Sequence, residues 1–309
     1  MSEATPRSGS AAIIGRPNVG KSTLLNSLLG QKLAIATSKP GTTRSVLLGV
    51  YVQEDPKTQI AFVDTPGMHR PSNALGRALV EDAKAGLATS DVIVFVTEIG
   101  KSGGTLTFPN GADAEILQQL RGLKSKVVLV INKIDRLKDK ALLLPLIQRA
   151  NKAYDFAAIV PLSALRKDNI PALVHALREQ LPEGLAYDPE VLTDKPQRFF
   201  ASELIREAVL THTRDEVPHG VAVLIEHFDE GKELYRIGAT IVVSRAGHKG
   251  IVIGKGGERI KQIGSDARVG MEELYQRKVF LELWVKVIPD WMDDPNKVQA
   301  LVREPLGSV

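Results

Sequence analysis

Nine consecutive residues near the start of the chain have the types and spacing of a loop that binds phosphate. They are Gly15, Arg16, Pro17, Asn18, Val19, Gly20, Lys21, Ser22 and Thr23. An apolar run precedes them and leucines at helical spacing follow, which is the strand-to-helix context that such a loop requires. The glycines let backbone N–H groups surround phosphate oxygens, and the helix N-terminus adds positive potential. The sequence therefore predicts that Lys21 neutralises the terminal phosphates and that Ser22 offers its hydroxyl to Mg²⁺.

A carboxylate follows a second apolar run, in the segment Asp64-Thr65-Pro66-Gly67. Ligands of open α/β sheets collect at the carboxyl ends of the strands, and this sequence places Asp64 at such an end. We expect Asp64 to hold Mg²⁺ through water and the N–H of Gly67 to meet the γ-phosphate.

A third motif, Asn132-Lys133-Ile134-Asp135, follows another apolar run and can select a purine base. The Asp135 carboxylate can accept hydrogen bonds from guanine N1–H and from the exocyclic amine, a pair of donors that adenine cannot supply. Sites built on paired hydrogen bonds reject the wrong partner by about 10⁴ to 10⁵, so the predicted base is guanine. After the last apolar run, a short loop either supplies a backbone N–H to guanine O6 or begins a helix with its serine as N-cap. That loop consists of Ser163, Ala164 and Leu165.

Short apolar runs that alternate with helical patterns predict the fold that positions these motifs. Their apolar character is continuous, which is typical of strands buried on both faces and therefore of a mostly parallel sheet covered by helices. One run, 46–52, precedes a turn-rich stretch and predicts a single antiparallel strand at the edge. The predicted fold class is α/β, and the runs assigned to parallel strands lie at 11–14, 60–63, 92–96, 127–131 and 157–160.

The C-terminal part of the chain has a different pattern. A helix, two strands, two helices and a final strand follow one another, which predicts a smaller α+β domain. The stretch 182–196 contains three prolines and little periodicity, and is predicted to be a linker. The expected organisation is a flexible tail at 1–10, a guanine nucleotide-binding domain at 11–181, the linker, and the second domain at 197–309.

Composition and charge exclude several classes of protein. The 309 residues include no cysteine, which excludes a disulfide framework, thiolate metal sites and a cysteine nucleophile. The longest apolar runs fall far below the ~20 residues needed to cross a bilayer. The net charge is +7 for residues 1–185 and −3 for residues 186–309, so any contact with a polyanion must come from local basic clusters.

One basic cluster surrounds a Gly-x-x-Gly loop in the second domain, where residues 244–261 carry a net charge of +4. The loop lies between two helical patterns, in the order expected for a type II KH domain. Such a loop clamps about four single-stranded nucleotides. On the last predicted strand, Trp284 either stacks a base or packs within the protein. The candidate RNA-binding residues are Arg245, Lys249, Gly254, Lys255, Gly256, Gly257, Arg259 and Lys261.

The order of the nucleotide motifs resembles the TRAFAC class of GTPases, and Gly41-Thr42-Thr43-Arg44 resembles the switch I element of the Era and tRNA-modifying GTPases. The resemblance implies that Thr42 or Thr43, with Thr43 favoured, closes over Mg²⁺ when GTP is bound. Met68 stands where Ras-like enzymes have a water-orienting glutamine. Resemblance to relatives with a hydrophobic residue there implies slow turnover and a K⁺ ion held by Asn18; the alternative is that Asn18 only stabilises its loop. The candidate catalytic residues are Lys21, Asn18, Thr42, Thr43 and Gly67.

Over nearly the whole chain, a P-loop GTPase domain followed by a type II KH domain resembles the bacterial Era family. The resemblance implies hydrolysis of GTP to GDP with Mg²⁺, and binding of the 3′ region of small-subunit ribosomal RNA during assembly of that subunit. It also implies a monomer in the cytoplasm, with peripheral association at the inner face of the cell membrane as a further location. Two other hypotheses stay open: a non-catalytic RNA-binding protein with GTP as a structural ligand, and a membrane-surface GTPase that controls division.

Overall fold

The computed structural model describes residues 4–37, 42–44, 46–65, 73–99, 108–188, 190–213, 217 and 220–303. The chain divides into two compact units. The first contains the described residues of 1–34, 46–70 and 80–194, and the second contains those of 35–45, 71–79 and 195–309. The sequence predicts that the short segments 35–45 and 71–79 belong to the first domain, because they lie between its strands along the chain.

A six-stranded sheet forms the centre of the first unit. The neighbouring strands pair in parallel, except for the two at one edge, β2 and β3, which are antiparallel. The prediction of a mostly parallel sheet with one antiparallel edge strand is therefore confirmed. The order across the sheet is β2-β3-β1-β4-β5-β6, with β1 at Arg7–Gly15, β2 at Leu47–Gln53, β3 at Thr58–Asp64, β4 at Val92–Glu98, β5 at Lys126–Asn132 and β6 at Ala158–Pro161.

Helices cover this sheet because β1, β4 and β5 are apolar on both faces. Their buried side chains pack with those of the helices in a continuous cluster that includes Phe95, Leu120 and Leu129. The helices that follow the sheet strands are α1 at Lys21–Leu29, α2 at Ala74–Ala88, α3 at Gly111–Leu120, α4 at Leu143–Ala153 and α5 at Ile170–Arg178.

The first strand begins earlier than the sequence indicated. Residues 7–10, which were assigned to a flexible tail, lie in β1 and pair with residues 58–61 of β3. The backbone N–H of Ser8 also donates to the carbonyl of Pro182 at 3.1 Å. The tail assignment was wrong for these four residues, since partners distant in the sequence supply the hydrogen bonds that hold a polar segment extended.

A three-stranded sheet and two long helices form most of the second unit. The order helix, strand, strand, helix, helix, strand agrees with the predicted α+β pattern. The middle strand, β8, is antiparallel to β7 and parallel to β9. The elements are α6 at Gln197–His212, β7 at Val221–Glu230, β8 at Leu234–Val243, α7 at Ala246–Ile253, α8 at Glu258–Tyr275, β9 at Lys278–Val287 and α9 at Pro295–Val298.

The sheet of the second unit has two differently covered faces. One face packs on α6 and α8 through a large apolar cluster that includes Ile205, Ile241 and Met271. Part of the other face is covered by the start of α2 and by residues after β9, in a cluster that includes Leu75 and Trp291. This packing explains why residues 73–79 group with the C-terminal part of the chain. Among the helices of the described ranges, none combines the length and the apolar character needed to cross a membrane.

Candidate functional site

Two glycines shape the predicted phosphate loop, which the structure places between the end of β1 and the start of α1. The φ angles of Gly15 and Gly20 are 149° and 98°, values that favour glycine. A Cβ atom at Gly15 would lie 2.2 Å from the carbonyl oxygen of Val96, and one at Gly20 would lie 2.4 Å from Nδ2 of Asn132. The loop therefore lies directly against the carboxyl ends of β4 and β5, and only glycine allows that approach.

Lys21 is the first residue of α1 and its side chain folds back over the loop. Its Nζ donates to the carbonyl oxygens of Gly15 at 3.2 Å and of Arg16 at 3.1 Å. Burial lowers the pKa of Lys21 to about 8, although the nearby carboxylate of Asp64 opposes this shift. A buried ammonium held by carbonyl oxygens is placed to exchange these weak partners for phosphate oxygens, which carry full negative charge.

The side-chain oxygens of Ser22 and Asp64 lie together beside the phosphate loop. The Ser22 hydroxyl donates to Oδ2 of Asp64 at 3.3 Å, and both side chains are buried. Thr65 anchors the end of β3, because its hydroxyl donates to the carbonyl of Ile13 at 2.9 Å. Hydroxyl and carboxylate oxygens are hard ligands of the kind that Mg²⁺ prefers. The residues present therefore fit the divalent cation that the sequence motifs imply.

Asn132 joins the three loops of the site. Its Nδ2 donates to the carbonyl of Val19 at 2.8 Å, while its Oδ1 accepts from the N–H groups of Lys133 at 2.7 Å and Ala164 at 3.0 Å. Lys133 adds a second tie, since its Nζ donates to the carbonyl of Asn18 at 2.5 Å and to the carboxylate of Glu98. The motif after β5 therefore holds the phosphate loop, in addition to its predicted role in recognising the base.

We expect Asn132→Ala to weaken nucleotide binding and to destabilise the fold together. The side chain is 2% exposed and makes three hydrogen bonds, so its removal leaves buried donors and acceptors unpaired, at a cost of about 1–3 kcal/mol for each such group. Urea unfolding and titration with a fluorescent GDP analogue measure the two effects. Asn151→Ala, at an exposed position of α4, is the control. An Asn132 variant with the stability of the parent would show that the three hydrogen bonds of this side chain do not stabilise the fold.

The residues predicted to select the base lie together at the ends of β5 and β6. Oδ1 of Asp135 accepts from the hydroxyl of Ser163 at 2.6 Å, and that hydroxyl accepts from the N–H of Arg166 at 3.2 Å. Ser163 therefore makes a cap-like turn contact and also orients the carboxylate. The Ala164 side chain is 3% exposed and that of Leu165 is 77% exposed. Supply of a loop N–H to guanine O6 stays a prediction.

An ion pair behind the phosphate loop was not expected from the sequence. Nε of Arg16 donates to Oδ1 of the buried Asp113 at 2.8 Å, and the hydroxyl of Thr97 donates to Oδ2 at 3.1 Å. Burial raises the pKa of Asp113, and Arg16 opposes that shift. The N–H of Asp113 donates to the side chain of Asn110, so the Asn-x-x-Asp spacing was the available signal, although it identifies a helix start rather than an ion pair.

Thr42, one of the two threonines predicted to lie in switch I, contacts α6. The hydroxyls of Thr42 and Thr37 lie 2.9 Å apart, and the Thr42 carbonyl accepts from Arg206 of α6. The choice between Thr42 and Thr43 as the Mg²⁺ ligand, and the K⁺ role of Asn18, stay predictions. Gly41, Gly67 and Met68 lie outside the described residues.

Two buried arginines surround this contact. Arg44 donates to the carbonyl of Val221, and its guanidinium lies 5.9 Å from the ring centroid of Trp291. Burial, together with the charge of Arg206, lowers the pKa of Arg44 to about 9, while Glu203 opposes the shift. Arg206 in turn pairs with Glu203 at 2.6 Å. The chain segment around Thr42 is therefore held to the C-terminal fold by charged groups out of water.

The Gly-x-x-Gly loop lies between α7 and α8, as predicted. Its glycines at 254, 256 and 257 have φ angles of 75°, 60° and 80°. A Cβ atom at Gly254 would lie 2.7 Å from Cβ of Arg259, whereas Cβ atoms at Gly256 and Gly257 would meet nothing within 4 Å. The first glycine is therefore required by close packing within the fold, whereas the last two leave space for another backbone to approach.

The predicted basic residues around this loop divide into two groups. Arg259 donates to the carbonyl of Ile251 and so closes the end of α7. The side chains of Arg245, Lys249, Lys255 and Lys261 are exposed. A groove of about 430 Å³ begins beside the loop and is lined by residues of α8 and β9, namely Ile260, Lys261, Gly264, Ser265, Arg268, Val279, Phe280, Leu281 and Leu283.

Comparison with known proteins gives consistent matches to both units. A family model described as 50S ribosome-binding GTPase matches residues 10–133, and one described as KH domain matches residues 216–292. The GTPase Era of Ruminiclostridium cellulolyticum is 44% identical over 298 residues, which is 96% of this chain and 97% of the relative. The GTPase Era of Xanthomonas campestris is 46% identical over 305 residues, 97% of this chain and 99% of the relative.

A solved structure matches the described fold over nearly its full length. It is described as Era in complex with MgGDPNP and nucleotides 1506–1542 of 16S ribosomal RNA. The match has a TM-score of 0.90 and 41% sequence identity, and it covers 96% of this chain and 98% of that one.

Proposed function

The chain belongs to the GTPase Era family, and on that basis we propose that it is a GTP-hydrolysing switch that binds the 3′ region of small-subunit ribosomal RNA during assembly of that subunit. The reaction is hydrolysis of GTP to GDP and phosphate. The observation that carries the proposal is that one chain joins a P-loop with a guanine-selecting carboxylate to a KH fold with an open glycine loop.

The residues of the first unit would act mainly by positioning and by charge. Backbone N–H groups between β1 and α1 would surround the phosphates, and the Lys21 ammonium would offset charge on their terminal oxygens. Ser22 and Asp64, the latter through water, would hold Mg²⁺, which supplies further charge stabilisation when bound. Asp135 would admit guanine and exclude adenine by its two acceptor oxygens.

A monovalent cation is the proposed substitute for an arginine finger, which contributes about 10³ to 10⁵ in rate where it is present. Asn18 of the phosphate loop is the residue proposed to hold it, because the resemblance to relatives with a hydrophobic residue after Asp-x-x-Gly points there. We expect faster turnover in K⁺ than in Na⁺ buffer of equal ionic strength, and Asn18→Ala should abolish the difference. Equal rates of phosphate release in both buffers would contradict the proposal.

The RNA would lie in the groove between α8 and β9, with its backbone at the glycine loop. The space beside Gly256 and Gly257 would allow a phosphate backbone close to the chain, and the cations of Lys255 and Lys261 would offset its charge. Apolar side chains of β9, such as Leu281 and Leu283, line the opposite wall of the groove. The bases would therefore face an apolar surface while the phosphates face cations.

Contacts of the switch I segment suggest how the two activities are coupled. The segment that carries Thr42 and Arg44 belongs to the same compact unit as α6 and β7, and its polar contacts there are buried. A segment that orders on the γ-phosphate is a common switch element. We propose that GTP competes with Arg206 for this segment, so that nucleotide state alters the C-terminal fold and its RNA affinity.

Removal of one buried guanidinium tests this coupling. We expect Arg206→Ala to bring the RNA affinities measured with a non-hydrolysable GTP analogue and with GDP closer to each other, because the variant frees the Thr42 carbonyl from α6. Coupling of two sites is typically worth 5-fold to 150-fold in affinity. Fluorescence anisotropy with labelled RNA in the two nucleotide states measures the ratio. Arg277→Ala is the matched control, since Arg277 is exposed and, within the described ranges, donates to the adjacent carbonyl of Gln276.

The function as a whole is tested by measuring phosphate release and RNA binding on the same preparation. The full chain should hydrolyse GTP but not ATP, and should bind a single-stranded RNA with the sequence of the 3′ end of small-subunit ribosomal RNA. Nucleotide binding without phosphate release would favour a non-catalytic RNA-binding protein. Hydrolysis without RNA binding, combined with flotation on anionic liposomes, would favour a membrane-surface GTPase over the proposed cytoplasmic role.

A further inference from the structure

The outer face of the C-terminal sheet carries two exposed aromatic side chains. Phe280 and Trp284 project from β9, an edge strand, and each is 47% exposed. The covered part of the same face lies around Ala222 and Val242, beneath Trp291. Because burial of a large aromatic side chain away from water is favourable, this uncovered part of the face has the composition of a binding surface.

Neighbouring strands hold these rings in place. The ring centroid of His227 on β7 lies 6.5 Å from that of Trp284. A Cβ atom at Gly238 of β8 would lie 2.0 Å from Cε1 of His227, so the imidazole occupies the space above a glycine that any other residue would fill. The guanidinium of Arg236 lies 5.7 Å from the ring centroid of Phe280. The surface is therefore a row of π faces with a cation beside it.

The aromatic face is continuous with the groove proposed to bind RNA. Phe280 contributes to the groove wall, and Trp284 lies four residues further along the same strand, which is about 13 Å at 3.3 Å per residue. Lys278 and Lys286 flank the two aromatic residues on the same outward face, and the carboxylate of Glu282 lies between the two rings. A chain in the groove could therefore cross the edge at β9 without leaving a surface that carries cations and aromatic rings.

We infer that single-stranded RNA leaving the KH groove continues over the edge strand β9 and stacks a base on Trp284. This inference rests on the proposed RNA-binding function and extends the contact beyond the nucleotides at the glycine loop. Aromatic side chains stack any base, because every base has a π face. The contact therefore adds affinity and length to the RNA site with little dependence on the base at that position.

The distribution of tryptophans gives a direct measurement. The chain contains two, and Trp291 is fully buried while Trp284 is half exposed. Titration of the full chain with a single-stranded RNA of about twelve nucleotides should quench tryptophan fluorescence, whereas a four-nucleotide RNA confined to the groove should not. The Trp284→Phe variant should lose the quenching but keep most of the affinity, because phenylalanine still stacks.

Affinity measurements distinguish failure of this inference from failure of the RNA-binding proposal. Trp284→Ala should weaken binding of the twelve-nucleotide RNA about tenfold, within the range of one stacked base, and leave the four-nucleotide RNA unaffected. Val269→Ala, at another exposed apolar side chain, is the control and should change neither. Gly256→Asp should weaken both RNAs, because it puts a carboxylate where the backbone would approach.

Three results would overturn the inference. If Trp284→Ala binds both RNAs like the parent while Gly256→Asp binds neither, the groove holds RNA and the aromatic face does not. If Trp284→Ala weakens both lengths equally, the tryptophan acts on the fold or on the groove itself. If the parent chain binds neither RNA, the RNA-binding proposal fails, the extension fails with it, and the aromatic face is left for a protein partner.

Discussion

Replacing Lys21 with methionine is expected to reduce GTP turnover by at least about 10³-fold, since the loss of a single preorganised donor already costs 10² to 10³. The variant retains an unbranched stem but lacks the ammonium that now lies against the carbonyls of Gly15 and Arg16. Phosphate release at saturating GTP measures the loss of turnover, and calorimetric titration with GTP measures the loss of nucleotide affinity. RNA affinity measured in the absence of nucleotide should stay unchanged, because Lys21 belongs to the first unit and the glycine loop to the second.

The same substitution should not destabilise the nucleotide-free protein at pH 7. Burial lowers the pKa of Lys21 from 10.5 to about 8, which corresponds to about 3 kcal/mol of unfavourable free energy for burying the charge. Removing the charge therefore stabilises the folded chain, and the loss of the two hydrogen bonds made by the ammonium offsets part of this gain in stability, at about 1 kcal/mol each. Between pH 8 and 10.5 the unfolded chain binds more protons at this lysine than the folded chain does. The contribution of Lys21 to stability therefore rises with pH across that window, and the variant should lack this rise.

Lys32→Met is the matched control, because Lys32 is exposed just after α1. It should leave turnover and the pH profile of unfolding as they are in the parent. A Lys21 variant that hydrolyses GTP normally would contradict the assignment of the phosphate site. A variant that loses turnover and also has a Tm several degrees below that of the parent would show that Lys21 stabilises the fold, and would contradict the prediction that its buried charge is destabilising.

The nucleotide site illustrates what short-range sequence patterns can establish. The loop from Gly15 to Ser22 was predicted because strand, glycines and helix lie within about twenty consecutive residues, and the structure has that arrangement. The carboxylate of Asp64 and the motif at Asn132 were placed correctly at strand ends for the same reason: continuous apolar runs mark buried parallel strands.

Interactions between residues distant along the chain were not predicted. The pair of Arg16 and Asp113 joins positions 97 residues apart, and no local pattern links them. The polar start of β1 was missed because its partners on β3 and in the linker are supplied by tertiary structure. Likewise, Leu75 packs with Trp291 rather than with the first unit, since apolar periodicity predicts that a helix face is buried without indicating the element that buries it.

Asn132 also has a structural role that its motif does not predict. The sequence assigned the motif to recognition of the base, whereas the side chain holds the phosphate loop to the loop at Ala164. The predicted selection of the base is left to Asp135, whose carboxylate is oriented by the Ser163 hydroxyl at 2.6 Å. A change of charge at Asp135 that keeps its shape therefore separates base recognition from the integrity of the site.

We expect Asp135→Asn to weaken GTP binding by about 10⁴-fold, the selectivity typical of a site built on paired hydrogen bonds. The new amide still accepts from guanine N1–H through Oδ1, but its Nδ2 faces the exocyclic amine of the base, so two donors oppose each other. Xanthine has a carbonyl at that position. The variant should therefore bind xanthosine triphosphate more tightly than GTP, and competition against a fluorescent nucleotide measures both affinities.

Ser163→Ala distinguishes recognition by Asp135 from general damage to the loop. It removes the hydroxyl that orients the carboxylate but leaves the charge in place, so GTP affinity should fall only about tenfold and the preference for guanine over xanthine should persist. The orientation of the Asp135 carboxylate and its charge thus make separable contributions to nucleotide affinity, and only removal of the charge changes the preferred base from guanine to xanthine. If Asp135→Asn preferred GTP to xanthosine triphosphate as strongly as the parent does, the carboxylate would not read the base, and the guanine-specific function would need another residue to carry it.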